Sequence, residues 1–235
     1  GTAQKLRPGN SNLYGGCTRE RAEAAINLHT EKNMEHKTVI IAFEGIDGSG
    51  KSIQFKLLRE SMARRGKSVG ILDFPNYDSF FGKEIGRLLS GKEAVTASEL
   101  DPRSMSLWYA ADRWNALRDF KAARYDLVLM NRSTMANAAY QGTRCGDPAE
   151  LAKWIYELEF QVFGIPEPDL CFIFDIPVSL SRKNVAKKGF RGYVGADADV
   201  YEKDAAFLER VRTGYQICAG LFPGSVLLNL SLIHI

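Results

Sequence analysis

The chain has no long apolar run, little cysteine and almost no excess charge. None of its apolar stretches approaches the ~20 residues that a membrane-spanning helix needs, and no signal-peptide core stands near its start. Its four cysteines, Cys17, Cys145, Cys171 and Cys218, form no C-x-x-C pair. The set fits a reducing compartment better than a disulfide framework. With 31 basic and 28 acidic residues the net charge is only +3, which does not mark a dedicated nucleic-acid or membrane-surface binder. Low-complexity tracts and internal repeats are missing as well. A soluble, cytoplasmic protein that binds neither nucleic acid nor membrane is expected.

What remains is ordinary globular material. The 235 residues are 45% apolar and 25% charged, enough for one domain or a small pair whose core needs no metal or disulfide. Residues 1–36 begin rich in Gly, Asn and Ser and are expected to be an N-terminal extension, disordered or partly helical over Thr18–Lys32. Residues 37–229 carry the domain. Leu230–Ile235 (LSLIHI) matches a translation of a transposon-end sequencing adapter and is expected to be a non-native, read-through end.

From Lys37 the pattern alternates. Short apolar strands are predicted at Thr38–Phe43, Ser68–Leu72, Leu127–Met130, Leu170–Phe174 and Val226–Leu228. Helices are predicted at Lys51–Arg65, Pro102–Ala123, Thr134–Gln141, Pro148–Phe163, Val178–Lys187 and Tyr201–Leu221. Apolar strands separated by helices imply a parallel sheet covered on both faces.

Between the first strand and the first helix stands Gly45-Ile-Asp-Gly-Ser-Gly-Lys51-Ser52, which fits G-x-x-x-x-G-K-[ST]. In that context glycines let backbone N–H groups turn toward phosphate oxygens, and the helix N-terminus adds positive potential. Gly45, Asp47, Gly48, Ser49, Gly50, Lys51 and Ser52 are therefore the candidate ATP cradle, with Lys51 on the outer phosphates and the Ser52 hydroxyl as a Mg²⁺ ligand. The fold expected is a three-layer P-loop NTPase, a parallel five-stranded sheet flanked by helices. No N-K-x-D base-reading motif exists, which argues against a GTPase. The third strand ends in Asn131 rather than Asp, which argues against a motor or AAA-type ATPase. A small phosphotransferase remains, and it needs further arginines for a second anionic ligand. Arg113, a helical turn after Tyr109, and Arg132, directly after the third strand, answer that need.

These residues belong to an ordered set that resembles the thymidylate kinase family. The set comprises Phe43–Ser52, Asp73–Tyr77, Ser79–Gly86, Trp108–Trp114, Asn131-Arg132 with Ala139–Gly142, Pro166–Leu170, and Tyr201–Asp204 with Phe207–Arg212. The resemblance implies phosphorylation of dTMP to dTDP by ATP and Mg²⁺, in a homodimer. It implies that Asp47 bonds the acceptor sugar 3′-hydroxyl and that Phe74 and Pro75 form a wall. It implies further that Tyr109 packs on thymine, that Arg113 bonds its carbonyl edge, that Arg132 holds the acceptor phosphate, and that Tyr140 and Gln141 contact the base. These motifs leave dTMP against dUMP open.

Three departures stand out. Asn131 replaces the family's common Asp, and Gly48-Ser49 replace a P-loop Arg that some members carry. The usual Asp-Arg pair of the lid reads Asp199-Val200. The missing cation is then expected from the lid at about 187–200, with Arg191 favoured over Arg182 and catalytic beside Lys51 and Arg132. Two rival readings are a deoxynucleoside kinase of related fold, with Asp73 as its base, and a catalytically impaired nucleotide-binding fragment.

Overall fold

The computed structural model describes residues 38–188 and 199–229. The N-terminal extension, Arg191 with most of the expected lid, and residues 230–235 lie outside the described residues.

Five strands form one parallel sheet: β1 (Val39–Glu44), β2 (Val69–Asp73), β3 (Leu127–Asn131), β4 (Leu170–Asp175) and β5 (Ser225–Asn229), in the order β2-β3-β1-β4-β5. The central strand β1 is buried at every position, as a strand covered on both faces must be. The helices are α1 (Lys51–Arg64), α2 (Phe80–Ser90), α3 (Pro102–Arg118), α4 (Thr134–Gly142), α5 (Pro148–Tyr156), α6 (Val178–Lys188) and α7 (Ala205–Leu221). This is the three-layer arrangement expected from the sequence. β3 and β4 flank β1 on opposite sides, so the strand order reverses there. The crevice at the carboxyl ends of β1 and β3 is where such sheets bind ligands. Register brings Phe43, Asn131 and Asp73 side by side at that edge.

Four differences from the predicted elements stand out. Helix α2 was not predicted, because Gly82 and Gly86 lower its helical signal. Its Ser79 cap accepts from the Gly82 N–H at 2.9 Å. Gly82 is needed there, since a Cβ would meet the Asn76 carbonyl oxygen at 1.8 Å. Helix α3 ends at Arg118, five residues before the predicted Ala123, and a separate 3₁₀ turn spans Ala122–Arg124. Helix α5 continues into a π turn, Glu157–Val162. Helix α7 begins at Ala205, not Tyr201, because the Asp199 carboxylate accepts from the Tyr201 and Glu202 N–H groups, both at 2.9 Å, and holds them in a turn.

Candidate active site

The cradle is built from three left-handed glycines, Gly45, Gly48 and Gly50. At Gly48 (φ +73°) a Cβ would stand 2.3 Å from the Ser181 carbonyl oxygen, so the loop can lie against α6 only with glycine there. Helix α6 braces the loop in return. The Ser181 hydroxyl donates to the Asp47 carbonyl at 2.5 Å, and the Asn184 amide donates to the Gly48 carbonyl at 2.9 Å. Sequence reasoning did not find this pair, which lies more than a hundred residues from the loop. The Lys51 ammonium is buried under the loop, bonded to the Gly45 and Ile46 carbonyls at 2.7 and 2.8 Å. Ser52 is exposed and lines the same cavity.

Arg132 follows β3 directly and is the one non-glycine with positive φ (+66°) among the described residues. Such a backbone costs about 1–2 kcal/mol and persists where neighbours enforce it. Here the Arg132 N–H donates to the Phe43 carbonyl at 3.0 Å, and the next residue is clamped to Glu44. The guanidinium reaches Asp47 at 2.8 Å, the Tyr215 hydroxyl at 3.3 Å and the Gly45 carbonyl at 3.4 Å, and lies over the Tyr140 ring. It thus joins the cradle to the aromatic side of the cavity. Glu44 is fully buried below it, and burial pushes its carboxyl up against the opposing bonds from Ser133 and the charges of Arg132 and Lys51. Burial also raises Asp73, whose carboxylate accepts the Asn131 amide at 2.7 Å.

The cavity encloses about 230 Å³, and the cradle lines one end of it. Phe74, Pro75, Tyr109, Arg113, Asn137, Tyr140 and Tyr201 line the rest. Asp112 sets the Phe74–Pro75 wall: its two oxygens accept from the Asn76 N–H and the Ser79 hydroxyl, at 2.8 and 2.7 Å. Arg113 is 3% exposed and forms a buried fork with Glu159, at 2.6 and 2.5 Å. Its remaining nitrogen, Nη1, stands outside that fork. Gln141 departs from its expected place. It is fully buried and outside the cavity lining, with its amide engaged by Arg144 at 2.6 Å and Tyr201 at 3.5 Å. Arg182 is exposed and likewise outside the lining.

Oxygen donors that suit a hard cation such as Mg²⁺ collect at two places. Asp47, Asp199 and Glu202 bring carboxylate oxygens within 4.8 Å of one another. Burial, then the charges of Glu202 and Asp47, push the Asp199 carboxyl up to about 7. At the other place Ser52 and Asn131 line the cavity, and Asn131 Oδ1 is buried without a hydrogen-bond partner among the described residues. The sequence signal for the first cluster was the segment Asp199–Glu202, visible but not read as part of the site.

Comparison with known proteins agrees with this geometry. The family model described as thymidylate kinase matches residues 43–230. The thymidylate kinase of Mycobacterium tuberculosis (strain ATCC 25618 / H37Rv) is 30% identical over 182 residues, covering 75% of this chain and 84% of that one. A probable thymidylate kinase of Thermococcus kodakarensis is 30% identical over 197 residues, covering 81% and 89%. A solved thymidylate kinase structure from Candida albicans superposes with a TM-score of 0.62 at 18% identity, covering 83% of this chain and 84% of that one, which shows the shared fold. With the phosphate cradle, the arginine after β3 and the family match covering the same residues, the chain belongs to the thymidylate kinase family.

Proposed function

We propose that this protein transfers the terminal phosphoryl group of ATP to dTMP, giving dTDP and ADP. The observation that carries this is Arg132, fixed between the P-loop and the aromatic acceptor wall by Asp47, Gly45, Tyr215 and Tyr140. In this reading an ionised phosphate oxygen of dTMP attacks the γ-phosphorus while its bond to the β-phosphate oxygen breaks. The nucleophile is already ionised, so no general base is required. Catalysis then rests on alignment and positive charge. Lys51 and Arg132 supply it from the described residues, and Arg191 is assigned the remaining cation. Mg²⁺, held through Ser52 with Asn131 or the carboxylate cluster beside it, would neutralise phosphate charge. Asp47 is assigned the acceptor sugar 3′-hydroxyl.

The base edge is read by two groups. Arg113 offers a donor, Nη1, and Asn137 offers an acceptor: its Oδ1 is buried without a partner among the described residues, and the residue lines the cavity. A thymine or uracil edge presents the matching acceptor and donor, O4 and N3–H. Tyr109 and Tyr140 supply the apolar faces.

A homodimer is proposed, with the exposed apolar side chains Phe80, Leu107, Trp114 and Val162 as candidates for its contact face. A cytoplasmic location fits the unpaired Cys145, Cys171 and Cys218. Among the described residues no helix is long and apolar enough to cross a membrane.

The test is ADP release measured across nucleoside monophosphates, with thymidine as the unphosphorylated control. Transfer to dTMP, lost by on the order of a hundredfold or more in Arg132→Ala while ATP still binds, is expected. Preference for thymidine, or near-normal turnover in the variant, would overturn the reading.

A further inference from the structure

Beneath the base-reading pair lies a carboxylate that the transfer itself does not use. Glu159 is fully buried in the π turn after α5. Its Oε1 accepts from Arg113 Nη2 at 2.5 Å and from Asn137 Nδ2 at 2.9 Å, and its Oε2 accepts from Arg113 Nε at 2.6 Å and the Thr134 hydroxyl at 2.7 Å. Four donors thus converge on one acid. The second bond of Asn137 Nδ2 goes to the Ser106 carbonyl at 3.1 Å. Both partners of that NH₂ group are acceptors only, so the amide cannot turn over without setting oxygen against oxygen twice. Its Oδ1 is left as the unpartnered atom.

We propose that Glu159 is a specificity-determining positioning residue: it locks Asn137 with its oxygen, and Arg113 with a nitrogen, toward the base, and so selects an imide edge over an aminopyrimidine edge. The inference rests on the acceptor-site reading above and adds the residue that enforces it. A cytosine edge would set its N3 acceptor against Asn137 Oδ1 and its N4 amino group against Arg113. Thymine and uracil meet both groups correctly, which predicts that dUMP is accepted at this edge and dCMP refused. The π turn is the local device that matters. An inserted residue in a helix redirects the side chains around it, and here it delivers Glu159 under α3 and α4 together.

The test compares kcat and KM for dTMP and dCMP in the wild-type enzyme and in Glu159→Gln. A glutamine offers one oxygen and one NH₂ group to the same four donors, so Asn137 loses its fixed orientation. The ratio of kcat/KM for dTMP over dCMP is expected to fall about 10- to 100-fold, mostly through KM for dTMP. A purely structural Glu159 would depress both substrates alike, and an unchanged ratio would overturn the proposal. Because a buried ion pair is opened, a second measurement uses wild-type protein. The Asn137 side-chain NH₂ protons, assigned by NMR through their contacts, should exchange slowly in the free enzyme. Fast exchange there would equally overturn it. Wild-type enzyme that transfers phosphate to neither dTMP nor dUMP removes the acceptor reading itself. Wild-type enzyme active on dTMP with a ratio that survives Glu159→Gln removes only this inference.

Discussion

Glu44 Oε1 accepts both the backbone N–H and the hydroxyl of Ser133, at 2.6 and 2.7 Å, so the carboxylate that ends β1 clamps the turn that follows β3. The second oxygen takes the Tyr215 hydroxyl at 3.2 Å, and Tyr215 also receives Arg132. One buried acid therefore supports Arg132 through its backbone and through its side chain. Glu44→Gln keeps the shape but replaces one acceptor oxygen with an NH₂ group, so either the Ser133 or the Tyr215 donors lose their acceptor. We expect a loss of about 1–3 kcal/mol in stability, and a fall in turnover on the order of tenfold with ATP affinity retained. Urea unfolding and steady-state kinetics check this. Unchanged turnover in a destabilised variant would restrict Glu44 to a structural role.

The left-handed backbone of Arg132 yields a prediction independent of its charge. Arg132→Ala and Arg132→Gly both remove the guanidinium and should both be inactive. Alanine retains the Cβ that is strained at φ +66°, whereas glycine does not. The glycine variant should therefore be the more stable of the two by about 1 kcal/mol, the reverse of their usual order. Thermal unfolding of the two variants side by side decides it.

Arg144 makes a different kind of support. Its guanidinium donates to Gln141 at 2.6 Å, to the Tyr201 hydroxyl at 3.2 Å, to the Ser98 carbonyl at 3.0 Å and to the Leu100 carbonyl. It pins the turn before α7 to the loop before α3 and holds Tyr201 against the cavity. Arg144→Ala should raise KM for dTMP several-fold with little change in kcat, and should lower stability by about 2 kcal/mol. Arg144→Lys, a point charge without the planar fork, should restore only part of either. An equal fall in kcat and kcat/KM would place Arg144 in the transfer step instead.

The parts of this molecule that were readable in the sequence are those encoded locally. Val39–Glu44 followed by three glycines, a lysine and a run free of Gly and Pro specifies strand, cradle and helix within 30 residues, and Arg132 was found by its place after β3. What could not be read are partners brought together by folding. Arg113 and Glu159 are 46 positions apart, and Glu44 and Tyr215 are 171 apart. Nothing in local spacing joins them. Asn137 looked like one more residue of α4, because an unpartnered acceptor becomes visible only once its two donor bonds are known. Gln141 was carried to the base by resemblance, and the structure instead places it behind Tyr201. The π turn escaped notice because its residues are as helical in pattern as those of α5.

Asp199 predicts how stability depends on pH. Its carboxyl, ordinarily at 3.8, is pushed up to about 7 first by burial, then by Glu202 and Asp47. Below about pH 4 the group is protonated in both the folded and unfolded chains, and its contribution is fully present. Between the two values the folded state holds a proton that the unfolded chain has released, so this contribution is lost as pH rises and is gone above about 7. The loss is on the order of a few kcal/mol over that window. Asp199→Asn keeps an oxygen for the Tyr201 and Glu202 N–H groups and removes the titration. Burial raises Glu44, Asp73 and Asp112 as well, so the readout is the difference between variant and wild type. Urea unfolding from pH 4.5 to 8 should give a flatter curve for Asp199→Asn, with the variant gaining on wild type as pH rises. Parallel curves would show that Asp199 titrates near its ordinary value.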